Sequence, residues 1–170
     1  MIIKLHLTTI FITAFFVILS LSYADAATIT GRVIAVTDGD TIRVLDNTNT
    51  QYKIRLAGID APEKKQAFGN VSKKSLSDLV YGKQVFVDWQ KQDRYGRKVG
   101  KVVINGQDAN LEQIKRGMAW FYSKYQNELV MDDRLNYLHA HEFAQAGRVG
   151  LWLDKEPMAP WDFRKTKKAD

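Results

Sequence analysis

The 170-residue chain has no cysteine, which excludes disulfide scaffolds, thiol nucleophiles and cysteine-built zinc sites together. Histidine is nearly as scarce, with three in all, two of them at positions 139 and 141. On a helix those two point about 200° apart, so they cannot share one metal ion. His139 is expected to pack beside an apolar face and His141 to face solvent. Beyond residue 26 no apolar run approaches the roughly 20 residues that a spanning helix needs, and no internal repeat is visible. Stability must therefore come from packing, helped by any bound ion.

The apolar residues that do run together lie at the start. Lys4 precedes a mostly apolar, uncharged stretch over 7–21, and Ala24-Asp25-Ala26 supplies the small-x-small pattern of a cleavage site. This predicts a signal peptide over 1–26 and a protein exported to the periplasm or the medium; an uncleaved anchor is the alternative. One domain over 27–153 and a basic tail over 154–170, lying on the surface, complete the expected layout. The net charge is +6, and Lys4 and Asp25 cancel, so cleavage leaves it unchanged. Such a charge on an exported domain points to a polyanion: nucleic acid, or an anionic envelope surface.

Alternation of apolar and polar residues predicts strands over 29–36, 41–45, 51–56, 83–89 and 98–104. Turn-forming residues separate them at 46–50, 93–96 and Asn105-Gly106. Helices are predicted over 70–81, with Val71, Leu76, Leu79 and Val80 as its stripe, and after Asp108, carrying Leu111 and Ile114. A third spans 129–146 with Met131, Leu135, Leu138 and Ala146 inward. The fold class is α+β: a small closed sheet with helices over its open side, of which an OB-type barrel is one form.

Four charged residues stand out against this frame. If the 46–50 turn centres on Thr48-Asn49, antiparallel pairing sets Asp40 opposite Ala57, close to Arg55 and to the exit through Gly58 toward Asp60 and Glu63. Two loop aspartates without histidine or cysteine form a hard, all-oxygen site suited to Ca2+, Mg2+ or Mn2+. Glu63 can accept a proton from an attacking water. Arg55, and Arg97 from the Asp93-Arg94-Tyr95-Gly96-Arg97 turn, can grip phosphoryl oxygens. Metal, base and paired arginines describe phosphodiester hydrolysis. Taken singly, Asp38-Gly39-Asp40 and Asp60-Ala61-Pro62-Glu63 also read as ordinary acidic turns, and Arg55 as a structural ion pair.

In order, Asp38-Gly39-Asp40-Thr41, Ile54-Arg55-Leu56, Asp60-Ala61-Pro62-Glu63 and Asp93-Arg94-Tyr95-Gly96-Arg97 resemble the staphylococcal nuclease family. The likeness continues through Gly117-Met118-Ala119-Trp120 and Gly150-Leu151-Trp152, and Pro160-Trp161-Asp162-Phe163-Arg164 resembles the tail of exported bacterial members. The resemblance implies a five-stranded OB-fold barrel with three packed helices and Ca2+-dependent cleavage of DNA and RNA that leaves 3′-phosphate ends. It implies that Asp40 and Asp60, with the backbone carbonyl of Ala61, hold calcium. Glu63 would be the general base, and Arg55 and Arg97 would bind and stabilise the phosphate. Arg94, Tyr95, Tyr122 and Tyr125 correspond to substrate contacts. Ala61 stands where the staphylococcal enzyme has threonine, Arg94 where it has lysine, and the loop over 64–68 is shorter.

The expectation is an enzyme acting as a monomer on nucleic acid, with no stable protein partner, and no membrane contact once the leader is removed. Two other classes compete: a noncatalytic OB-type nucleic-acid-binding module, and an envelope-bound structural domain. The second leaves the acidic cluster without a purpose.

Overall fold

The computed structural model describes residues 27–169; the leader read over 1–26 lies outside the described residues. Five strands close a barrel: β1 (Ala27–Asp38), β2 (Thr41–Asp46), β3 (Gln51–Leu56), β5 (Gln84–Gln92) and β6 (Lys98–Ile104). The short β4 (Ile59–Asp60) pairs antiparallel with β8 (Trp120–Phe121), and β7 (Gln107–Asp108) folds back on β6. Closure comes from a parallel pairing of β3 with β6 through Ile54–Lys98, Arg55–Val99 and Leu56–Gly100. One long strand serves both halves of the barrel: β1 pairs with β5 over Ala27–Arg32 and with β2 from Gly31 onward. At Gly31 a Cβ would lie 2.4 Å from the Leu45 carbonyl oxygen, so only glycine allows β2 this close.

Alternation places Val33, Ile42, Val44, Ile54, Leu56, Val85, Val87 and Val102 inside the barrel, all buried. Each such side chain contributes about 1.5–3 kcal/mol by leaving water. The predicted strands are all present, and β3 and β6 begin and end where the pattern placed them. The β2–β3 register differs by one residue. Thr41 faces Arg55, and Asp40 faces Leu56, whose N–H donates to the Asp40 carbonyl at 2.9 Å. The cause is Asp46: its Oδ1 accepts from the Thr48 N–H, the Thr48 hydroxyl and the Thr50 N–H, centring the turn on Thr48.

Among the described residues there are four α-helices: α1 (Gly69–Val80), α2 (Ala109–Lys115), α3 (Met131–Ala146) and α4 (Pro160–Ala169). Leu76, Leu79 and Val80 of α1 are buried as expected, whereas Val71 is exposed and Ser72 takes the inward place. A small residue is required there, because a Cβ on Gly39 would lie 1.9 Å from the Ser72 hydroxyl. Asp108 caps α2 through Oδ1, accepting from the Asn110 and Leu111 N–H groups.

Helix α3 turns a different face inward from the predicted one. Tyr137, Ala140 and Ala144 are buried, while Met131, Leu135 and Ala146 are exposed. The small alanines allow close approach to the neighbouring elements, and the Tyr137 hydroxyl donates to Asp108 at 2.8 Å. The histidines exchange roles for the same reason. His139 is exposed, and His141 packs between Trp120 and Trp152 while its Nδ1 accepts from the Phe121 N–H at 3.3 Å. The tail forms α4, with Pro160 in its first turn, the position proline favours. No helix among the described residues is long and apolar enough to cross a membrane.

Candidate active site

Asp40 is held where β1 turns into β2. Its N–H donates to Asp38 Oδ1, and Gln113 of α2 fixes the loop by donating to the Gly39 carbonyl (2.9 Å) and the Ser72 carbonyl (3.2 Å). The amide oxygen of Gln113 accepts from the Ser75 hydroxyl, so α1 and α2 brace this loop together. The Asp40 carboxylate, with the residue only 6 % exposed, accepts from the Ala61 N–H at 2.8 Å and from the Thr41 hydroxyl at 3.0 Å.

Arg55 reaches across from β3. Its Nη1 lies 3.1 Å from Asp40 Oδ2 and its Nη2 3.0 Å from Asp60 Oδ1, so one guanidinium joins both aspartates. Asp60 is 2 % exposed and sits on β4, which the pairing with β8 fastens. Glu63 follows on the loop, its N–H donating to the Gln66 side chain. Asp40, Arg55, Asp60 and Glu63 thus gather at one end of the barrel, despite the one-residue difference in register. Arg97 joins through a bridge: its Nη1 donates to the Thr41 hydroxyl at 3.3 Å, and that hydroxyl donates to Asp40. Its Nε is paired to Asp93 at 2.7 Å.

The four substrate-contact candidates fall on two sides of this cluster. Arg94 and Tyr95 occupy the β5–β6 turn beside Arg97, with Tyr95 exposed and both guanidiniums near its ring (4.9 and 5.5 Å). Tyr122 and Tyr125 meet edge to face at 4.9 Å just after β8. Burial, and then the charge of Asp60, push the Tyr122 phenol above its usual range.

Sequence reasoning missed Arg164. It projects from α4 onto the cluster, with Nη2 2.7 Å from Asp60 Oδ2 and Nη1 2.8 Å from Glu63 Oε1. A signal was present: a single arginine behind Pro160, Trp161 and Phe163, in a tail whose later cations are lysines. Gln113 gave no such signal, since a polar residue in a short helix reads as exposed.

The donor chemistry fits a hard cation. Asp40 and Asp60 turn oxygens toward one guanidinium, and no histidine or sulfur lies among them. Burial raises the Asp60 carboxyl above its usual range although Arg164 and Arg55 pull it down. Asp38 is pushed up to about 7 by burial and by Asp40 beside it. Burial makes a bare carboxylate unfavourable at both positions, a cost that a divalent ion would relieve. Among the described residues no three His, Cys, Asp or Glu side chains form a ready cage, so backbone oxygen and water would complete the coordination.

Comparison with known proteins shows the family of the chain. The model of the family described as staphylococcal nuclease homologue matches residues 53–154. A Haemophilus influenzae protein named an uncharacterized endonuclease is 47 % identical over 139 residues, covering 82 % of this chain and 75 % of its own. A likewise named Escherichia coli O157:H7 protein is 41 % identical over 83 % of this chain and 88 % of its own. The micrococcal nuclease of Shigella flexneri is 38 % identical over 89 % of this chain and 90 % of its own. The chain belongs to the staphylococcal nuclease family: it is a nuclease, an enzyme that hydrolyses phosphodiester bonds.

Proposed function

We propose that the chain is an exported, calcium-dependent endonuclease, indifferent to the sugar, that cuts DNA and RNA to leave 3′-phosphate ends. The observation that carries this reading is the meeting of Asp40 and Asp60 on Arg55, with Arg97 reaching Asp40 through Thr41 and Glu63 joined to Asp60 by Arg164. Asp40 and Asp60 would hold Ca2+ with the Ala61 carbonyl, and the ion would supply a fixed positive charge at the phosphate. Glu63 takes the proton of a water whose oxygen bonds to phosphorus. The bond from phosphorus to the 5′ oxygen breaks, that oxygen takes a proton from solvent water, and Glu63 releases its own proton to solvent. Arg55 and Arg97 match the charge gathering on the equatorial oxygens. Arg94, Tyr95, Tyr122 and Tyr125 line the path of the strand, where aromatic faces stack on bases without reading sequence. Export rests on the leader pattern over 1–26.

Purified residues 27–170, incubated with plasmid DNA and with RNA in Ca2+ or in EGTA, test this reading. Cleavage of both in Ca2+ alone, with ends that block polymerase extension until a phosphatase removes the 3′ group, is the expected result. Binding without cleavage in Ca2+ would instead select the noncatalytic module.

A further inference from the structure

Arg164 and Lys165 of α4 make different contacts. Lys165 pairs with Asp162 on the same helix, an exposed contact between residues three apart. Arg164 leaves its helix and forks onto the acidic cluster, touching both oxygens of Asp60 (2.7 and 3.3 Å) and Glu63 (2.8 Å). The helix that carries it is firmly seated. Trp161 stacks on Tyr122 with ring centres 4.9 Å apart and planes within 4°, and meets Trp120 edge-on at 5.6 Å. Ala159 and Pro160 are buried. Gln66 completes the seating: its amide donates to the Met158 carbonyl, while its oxygen accepts the Glu63 N–H.

A guanidinium so placed can plug the acidic residues or serve the substrate. The anchoring decides between them. With α4 tied down by stacked rings and by the same glutamine that orients the Glu63 loop, the guanidinium, 41 % exposed, stays over the cluster even when it gives up its carboxylates. A divalent ion on Asp60 would compete with the fork for that carboxylate, and an entering phosphate would offer the fork two oxygens in exchange. Two parallel N–H groups spaced for a carboxylate also fit two phosphoryl oxygens. We propose that Arg164 is a third arginine of the active site, which gives up Asp60 and Glu63 to grip a phosphate of the bound strand, while the Trp161–Tyr122 pair stacks the adjoining base. This inference rests on the nuclease reading and adds a substrate subsite built by the C-terminal helix.

The test compares residues 27–170 with Arg164→Ala, Arg164→Lys and Trp161→Ala. Anisotropy of a fluorescein-labelled phosphorothioate oligothymidylate in Ca2+ measures binding without cleavage, and a cleavable oligothymidylate gives kcat and KM. Arg164→Ala is expected to weaken phosphorothioate binding about tenfold and to lower kcat/KM by at least that factor. Lysine should restore only part, because it lacks the fork. Trp161→Ala should raise KM a few-fold, by loss of one stacked base and of part of the seating of α4. Melting temperatures check folding, and Arg164→Gln replaces the alanine variant if that one unfolds. Unchanged or tighter oligonucleotide binding in Arg164→Ala overturns the inference; tighter Ca2+ binding with faster cleavage would identify Arg164 as a plug. If the parent binds but cuts neither DNA nor RNA, the catalytic reading falls while the binding comparison still decides the role of Arg164. An oligonucleotide that binds none of the proteins overturns both.

Discussion

In the proposed mechanism Glu63 and Arg97 divide the chemistry in a way that kinetics can separate. Glu63→Gln keeps the shape of the side chain and removes the proton acceptor, so kcat should fall about 10²–10⁴-fold with Ca2+ affinity unchanged by calorimetry. Arg97→Ala removes a charge matched to the transition state and should cost about 10²–10³ in kcat. Either variant cleaving at the parent rate would remove that residue from the mechanism. Asn110, which is fully buried, works for the fold instead. Its oxygen accepts from the Val102 N–H and its amide donates to the Ala57 and Gly100 carbonyls, sealing the seam where β3 meets β6. Asn110→Ala strands these groups and should destabilise by about 3 kcal/mol, read from urea unfolding; a loss near zero would mean that water replaces the amide. The acidic and basic site residues were legible in the sequence because their types are chemically narrow. Asn110 and Gln113 were not, since their partners are backbone groups that only the folded chain brings near.

Between elements, the contact that matters most is α1 against the Asp38-Gly39-Asp40 loop. Because a Cβ at Gly39 would meet the Ser72 hydroxyl at 1.9 Å and the Ala61 Cβ at 2.7 Å, Gly39→Ala must push the loop away from both α1 and the Asp60–Ala61 segment. Overpacking of this kind costs about 1–3 kcal/mol, and it shifts Asp40 relative to Asp60, so Ca2+ binding should weaken as well. A melting temperature and Ca2+ affinity equal to the parent's would show that the loop yields freely. Strand alternation made the barrel readable, because each strand has one face in and one out. The β2–β3 register slipped because the Asp46 side chain, not the residue count, centres the turn. Helix α3 misled for a related reason: its largest aliphatic residues, Met131 and Leu135, face outward, while two alanines and a tyrosine hold the contact.

At the scale of the molecule, His141 links acidity to stability. Burial holds its imidazole below the ordinary value of 6.5, against a weaker pull from Glu142, and its Nδ1 must stay unprotonated to accept from Phe121. The unfolded chain takes up a proton near pH 6.5, the folded one only at lower pH. In that window the unfolded state binds more protons and stability falls as pH falls. The contribution is complete above pH 6.5 and disappears as pH drops through the folded value. His141→Gln, which still offers an acceptor, should therefore lose less melting temperature than the parent between pH 7.5 and pH 5. Parallel curves would exclude His141 as the source.

The cluster draws on residues from 38 to 164, and the ion pairs of Arg164 close over 101 and 104 positions of chain. A nascent chain stopped short of α4 carries Glu63 without its ion-pair partner and Asp60 with Arg55 but not the second guanidinium. Synthesis proceeds at roughly 5–20 residues per second, so the acidic groups wait several seconds for their counter-charge. Charge balance here belongs to the finished polypeptide: a prematurely terminated fragment inherits the acids of the site without its last base.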